Sequence, residues 1–382
     1  MKTKVLLFFG GLIFPVMLCS QNDYWFKKGM DEKKPEKQVE YFTKSIEIEG
    51  AAAETYLHRG DAYRNIALDR VYNHPKVVIV FGHNDTHNAQ LMYEKARADY
   101  TQAIKLDPQC SDAYINRSDV YWQQGMNDKA LADLSGLIKI DSRNAKAYYK
   151  RAFLYGNNYN KYPEAISDLS RAIEIDPTFR DAYFSRAFVY YRAKQYDEAL
   201  ADLNKLIEID PQYVWAYCKR GDVFRNFGQY EKAIADYDKT IKLDSRNYMA
   251  YNNRGCIYLV QSQYEKALRD FNKAISCDSK DMRPYCNIGY TYLQQNKLDD
   301  AIKYFQKSLD LVDNFFDANL DMAIVYYIRG NRSEAKIYLD KARTVIPNLS
   351  EAFDGISKLE SGGHNWTERD KATLQKMFVE LK

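Results

Sequence analysis

The sequence is short of cysteine, short of surplus charge and without an apolar run long enough to cross a membrane, and each shortage closes a class of explanation. Five of its six cysteines follow the N-terminal segment: Cys110, Cys218, Cys256, Cys277 and Cys286. They are scattered and show no CxxC spacing, so neither a disulfide framework nor a zinc site is indicated. Lys and Arg number 55 against 52 Asp and Glu, interspersed along 382 residues. A net charge of +3 lacks the basic footprint of a nucleic-acid binder. No nucleophile motif, phosphate loop or dinucleotide fingerprint occurs, so no catalytic residue, no metal and no cofactor is expected.

The longest apolar stretch lies at the N-terminus. Lys2 and Lys4 precede an apolar run over 5–18, followed by Cys19, Ser20 and Gln21. A basic start, a short apolar run and a small-residue exit are the layout of a secretory signal. The run falls short of the ~20 residues of a membrane-spanning helix. Cleavage after Ser20 is the reading adopted, making 1–20 a signal peptide. Acylation of Cys19 and retention as an anchor are the alternatives, although Leu18 is bulky where lipoprotein signals carry Gly, Ala or Ser. All three export residues 21–382 to the periplasm or cell envelope.

What the chain has in abundance is internal repetition. Segments 113–121, 182–190 and 250–258 recur on a grid of about 34 residues, each running Ala, Tyr, two residues, Arg, a small residue and on to a Tyr. A second motif follows each, as at 164–177, 198–211 and 231–244. Tyr183, Ala187 and Tyr190 fall at i, i+4, i+7, and so do Ala165, Leu169 and Ala172. Each half is therefore a helix with one apolar stripe. Turns containing Gly125, Gly228 or Gly330 join the halves, and Pro108, Pro177, Pro211 and Pro347 close the second helix. Small residues at Ala187, Gly221 and Gly255 let the paired helices approach closely. One such hairpin cannot bury its stripe alone, so neighbours must stack into an all-α solenoid.

The pattern of aromatic, small residue and Tyr in the first helix, with Ala, aromatic, Ala and Asp-Pro in the second, resembles the tetratricopeptide repeat family over nearly the whole mature chain. That resemblance implies a right-handed superhelix of helix pairs A and B. An incomplete repeat is expected at 21–52, a longer one at 53–110 with an insertion at about 65–91, seven regular repeats at 111–349 and capping helices at 350–382. The last helix should bury Leu374, Met377, Phe378 and Leu381.

Where the family commonly carries Leu before the small residue of helix A, this chain carries Arg59, Arg117, Arg151, Arg186, Arg220 and Arg254. The same repeats carry Asp99, Asp133, Asp168, Asp202, Asp236 and Asp270 in helix B; the last two lose both, with Ile288 and Tyr304, Met322 and Tyr338. A buried charge is tolerable only when paired, so an Arg–Asp pair within each repeat is expected as a structural device.

In the family, helix A lines the concave face. The resemblance therefore places Tyr149, Phe153, Phe184, Phe188 and Tyr191 in a groove, with Trp122, Trp215, Arg225 and Tyr290 to either side, as a site for an extended or helical protein segment. The Lys, Asn and Arg clamp by which some members hold a C-terminal carboxylate does not carry over. The insertion, with an apolar run at 77–82, reads as a loop; His83, Asp85 and His87 could hold a metal there. Cys256 and Cys286 stand on consecutive A helices and could form a disulfide.

The sequence thus reads as an exported adaptor whose partner is a protein or peptide segment. Nucleic acid is excluded, and a membrane enters only through an N-terminal anchor. Rival readings are a structural subunit of an envelope assembly, bound through its convex face or caps, and a metal-dependent enzyme using the insertion.

Overall fold

The computed structural model describes residues 23–48, 52–72, 84–346, 349 and 367–381. The signal segment, His74, His83, the run at 77–82, Pro347 and 350–360 lie outside the described residues. Every described element is helical: α1 (23–31), α2 (Pro35–Ile46), α3 (Ala53–Tyr72), α4 (Asn84–Leu106), α5 (Ser111–Gln123), α6 (Asn127–Ile140), α7 (Ala145–Asn158), α8 (Tyr162–Ile175), α9 (Arg180–Arg192) and α10 (Tyr196–Ile209). They continue as α11 (Val214–Asn226), α12 (Tyr230–Leu243), α13 (Tyr248–Val260), α14 (Tyr264–Cys277), α15 (Met282–Gln294), α16 (Leu298–Leu311), α17 (Phe316–Ile328), α18 (Arg332–Val345) and α19 (Glu368–Glu380). Odd-numbered helices up to α17 are the A helices of nine hairpins, and even-numbered ones the B helices. The result is an all-α repeat solenoid. No described helix is long and apolar enough to cross a membrane.

Local chemistry explains the regularity. Each hairpin turn from α5 to α18 contains one residue with positive φ: Gly125, Gly228 and Gly330, and also Asn160, Lys194, Ser262 and Asn296. Glycine adopts this left-handed conformation without penalty; the side chains of the other four bear a cost. After six consecutive B helices, α4 to α14, an Asp carboxylate accepts from the backbone N–H two residues on, at Asp107, Asp141, Asp176, Asp210, Asp244 and Asp278. The Asx turn recurs even where proline does not follow. Within a hairpin, a small A-helix residue admits a B-helix ring. A Cβ on Gly60, Gly221, Gly255 or Gly289 would stand 2.6–2.8 Å from the ring of Tyr100, Tyr237, Phe271 or Phe305.

Two expectations are corrected. The insertion's described residues lengthen both helices instead of forming a loop: α3 has 20 residues and α4 has 23, against 13 in α5 and 14 in α6 of the next repeat. His83 precedes α4 and lies outside the described residues, and the exposed His87 stands within α4. Cys256 and Cys286 are free thiols. Cys256 accepts from Asn287 Nδ2 at 3.4 Å and Cys286 points at Asp321 Oδ2, 3.8 Å away, so each sulfur has its own polar neighbour.

The solenoid falls into two compact units divided between Val189 and Tyr190. The first holds apolar clusters around Tyr100 and around Leu134. The second holds one around Tyr237 and a larger one joining α13 to α19.

Candidate protein-binding face

The Arg residues of the A helices form a seam. In five repeats the guanidinium donates Nε and Nη2 to both oxygens of one carboxylate at 2.7–2.8 Å: Arg59–Asp99, Arg117–Asp133, Arg151–Asp168, Arg220–Asp236 and Arg254–Asp270. Arg186 and Asp202 fall on either side of the unit division, and their pairing stays an expectation. The remaining donor, Nη1, reaches back to the B helix of the preceding repeat. It meets Thr43, Thr101, Ser135, Ser170 and Asn204 at 2.7–3.2 Å, and Asp238 from Arg254. A Tyr one turn earlier lies 5.6–5.9 Å from each guanidinium carbon, within cation–π range. Burial pulls the Arg59 and Arg117 guanidiniums down, but the paired carboxylates outweigh it and leave both raised. The planar fork thus ties three helices together, a structural role that leaves the other side of helix A free.

That other side carries a polar ladder that the sequence reading missed. A side chain two residues before the small A-helix residue bonds to the one just after the small residue of the preceding repeat. The rungs are Asn116 to Asp61 at 2.8 Å and Lys150 to Asp119 at 2.8 Å in the first unit. In the second they are Asn253 to Asp222 at 2.8 Å and Asn287 to Cys256 at 3.4 Å. On α7 and α9 the acid's place is taken by Phe153 and Phe188.

Where the first-unit ladder gives out, a cleft of about 310 Å³ opens. Trp122 and Phe153 meet edge to face at 5.3 Å on its floor, and Phe153 remains 38% exposed. Tyr149 lines the same cleft and packs at 5.2 Å on Phe179. Burial raises its phenol, and a hydrogen bond with Ser185 opposes that rise. Arg64, Leu68, Asp119 and Lys150 also line it. Leu68 belongs to the extra turn of α3, so the lengthened repeat builds a wall of the cleft. Arg64 lies 3.7 Å from Asp61 and 4.0 Å from Asp119, while its buried Nε has no hydrogen-bond acceptor. Phe184 and Phe188 are half-buried on α9.

In the second unit the predicted residues separate. Trp215 is 42% exposed on α11. The Tyr191 hydroxyl accepts from Asn226 at 3.1 Å, and its ring meets Tyr196 at 5.6 Å. Arg225 stands near Tyr237, Asp222 and Cys256; burial pulls it down, and its interactions with the Tyr237 phenol and the Asp222 carboxylate more than offset this. Tyr290 is not on an open face. It is 2% exposed and donates to Asp370 Oδ2 of α19 at 2.6 Å. Burial, then the Asp370 charge, holds its phenol far above the ordinary value. Among the described residues no group of three His, Cys, Asp or Glu could hold a metal ion.

Family models described as TPR repeat match residues 92–125, 160–194, 189–226, 221–262 and, in a tetratricopeptide model, 111–144, 248–281 and 283–315. No curated protein matches the chain. Among solved structures, the APC/C hetero-tetramer Cut9–Hcn1 aligns with a TM-score of 0.53 at 16% identity, covering 89% of this chain and 76% of that one. PilW, a type IV pilus biogenesis factor, aligns with a TM-score of 0.50 at 20% identity over 56% and 98%. A tetratricopeptide repeat protein from Parabacteroides merdae gives 0.49 at 16% over 72% and 99%. At such identities the likeness is one of fold.

Proposed function

Because the chain belongs to the tetratricopeptide repeat family, we propose that it is a scaffold that captures a segment of another protein on the A-helix face of its first unit. The observation that carries this reading is the cleft between α3, α5 and α7, lined by the rings of Trp122, Tyr149 and Phe153 together with the charged Arg64, Asp119 and Lys150. An apolar side chain buried against Trp122 and Phe153 would supply most of the affinity, as aromatic anchors in pockets do. The Lys150–Asp119 pair sets orientation more than strength. The walls are helical, so little ordering opposes binding. Phe184 and Phe188 continue the same helix register, and Tyr191, Trp215 and Arg225 offer comparable side chains on the second unit. The basic, apolar and small-residue succession over 1–20 supports export, with the scaffold working in the cell envelope.

The test is affinity capture from native envelope extract, comparing the unmutated mature chain with a Trp122→Ala, Phe153→Ala variant that melts with undiminished cooperativity. Retention of a specific protein by the unmutated form alone supports the reading. Equal retention by both forms contradicts it and moves the site to the B-helix face.

A further inference from the structure

In this solenoid an A helix packs on the preceding B helix, as α13 does on α12 and α15 on α14. α19 packs instead on α17, an A helix, and its first turn reaches α15. There Asp370 Oδ2 accepts from Tyr290 at 2.6 Å and Gln294 at 2.9 Å, and from the backbone N–H of Thr367 at 2.9 Å. Its last turn meets the start of α18, with Glu380 3.1 Å from Arg332. Leu374, Met377, Phe378 and Leu381 are buried in one cluster with Leu320, Ile324 and Tyr327 of α17. Those three occupy the register that carries Cys218, Asp222 and Arg225 on α11. Eleven of the 13 residues of α17 are buried, Asp317, Asn319 and Asp321 among them, as in a helix covered on more than one side.

We propose that the A-helix face of the last two repeats is a helix-binding site that α19 fills in cis. An amphipathic helix of a partner protein, with an acidic residue in its first turn and apolar residues at the α19 spacing, takes the same place in trans. This goes beyond the cleft of the first unit and does not depend on it. Specificity comes from the first turn. A capping box holds Asp370, and the buried Tyr290 hydroxyl and half-buried Gln294 amide lose their acceptor whenever a helix without an acid there docks, which makes such a helix a poor substitute. Affinity comes from the four apolar side chains read at i, i+3, i+4 and i+7.

The full-length chain tests this. Leu374→Asp with Phe378→Asp releases α19 and leaves the receptor face intact; a fluorescent peptide of residues 367–382 is then the probe. The peptide should bind the released chain about tenfold or more tightly than it binds the unmutated chain, where α19 competes. Asp370→Asn in the peptide, or Tyr290→Phe in the released chain, should weaken binding by about tenfold. Equal binding to released and unmutated chains overturns the proposal. So does a released chain whose α15 to α18 amides lose hydrogen-exchange protection and do not regain it with peptide, since α19 would then be part of the core. The capture experiment on Phe153 reads a different unit, so the failure of one proposal is distinguishable from the failure of the other.

Discussion

On α11 and α13 a guanidinium sits between helix A and helix B; on α15 and α17 the same register carries Ile288 and Met322. Arg220 and Arg254 each tie a carboxylate of their own repeat to a polar side chain of the repeat before. In the last two hairpins Tyr304 and Tyr338 replace the carboxylate and pack against Tyr292 and Tyr326, each pair 5.6 Å apart. One backbone geometry thus accepts either a charged seam or an aromatic one. The charged seam is satisfied bond by bond within three helices. The aromatic seam belongs to a continuous apolar cluster whose far edge is covered by the apolar side chains of α19.

The comparison breaks first where the two seams are mixed. Ile288→Arg alone places a charge opposite Tyr304 in the apolar cluster and should cost on the order of 3–5 kcal/mol. Adding Tyr304→Asp should recover at least about 1 kcal/mol by rebuilding the fork; urea denaturation of both variants measures this. The reverse exchange is milder. Arg220→Leu strands Asp236, whose side chain is 7% exposed, and should cost about 2–4 kcal/mol, while Arg220→Leu with Asp236→Leu costs less. Losses that add in the double-mutant cycle would show that the pair is not a unit.

A pH titration sharpens the contrast between charged and apolar interiors. Burial pushes the Cys218 thiol up to about 12 and the Cys256 thiol up to about 11. The unfolded chain releases these protons near the ordinary thiol value of 9.0, so it binds fewer protons than the native state above that pH. The stability they contribute is complete below about pH 9 and is lost as pH rises towards about 12. A urea midpoint that is flat between pH 7 and 8 and falling by pH 10.5 is expected, and one unchanged at pH 10.5 contradicts the account. The smallest effect is at a turn. Ser262 has φ of 57°, where glycine is at ease, so Ser262→Gly should stabilise by roughly 0.5–1 kcal/mol in thermal melts.

Much of this was legible because the repeat is. A period of about 34 residues aligns Arg with Asp in one repeat after another, and the structure brings five of those pairs within hydrogen-bond distance. The third bond of each Arg was not legible, since Thr101 or Ser135 on a B helix reads as an ordinary surface residue. The ladder had a signal, a polar residue two before the small one and an acid just after it, but its rungs join different repeats. The apolar run at 77–82 drew attention to a loop, whereas the described part of that region is longer helix, and Leu68 of the cleft comes from it. The stripe of α19 announced a buried face without saying against which helix it would be buried. Hence Tyr290 was placed on an open groove when it lies beneath α19.

The central functional claim is best tested by photo-crosslinking in native cells, with a photoreactive side chain placed at Phe153 and, separately, at Ile140, which is 40% exposed at the end of B helix α6. The account predicts one discrete protein adduct from position 153 and none from position 140. An adduct from position 140 alone would contradict it and assign binding to the B-helix face.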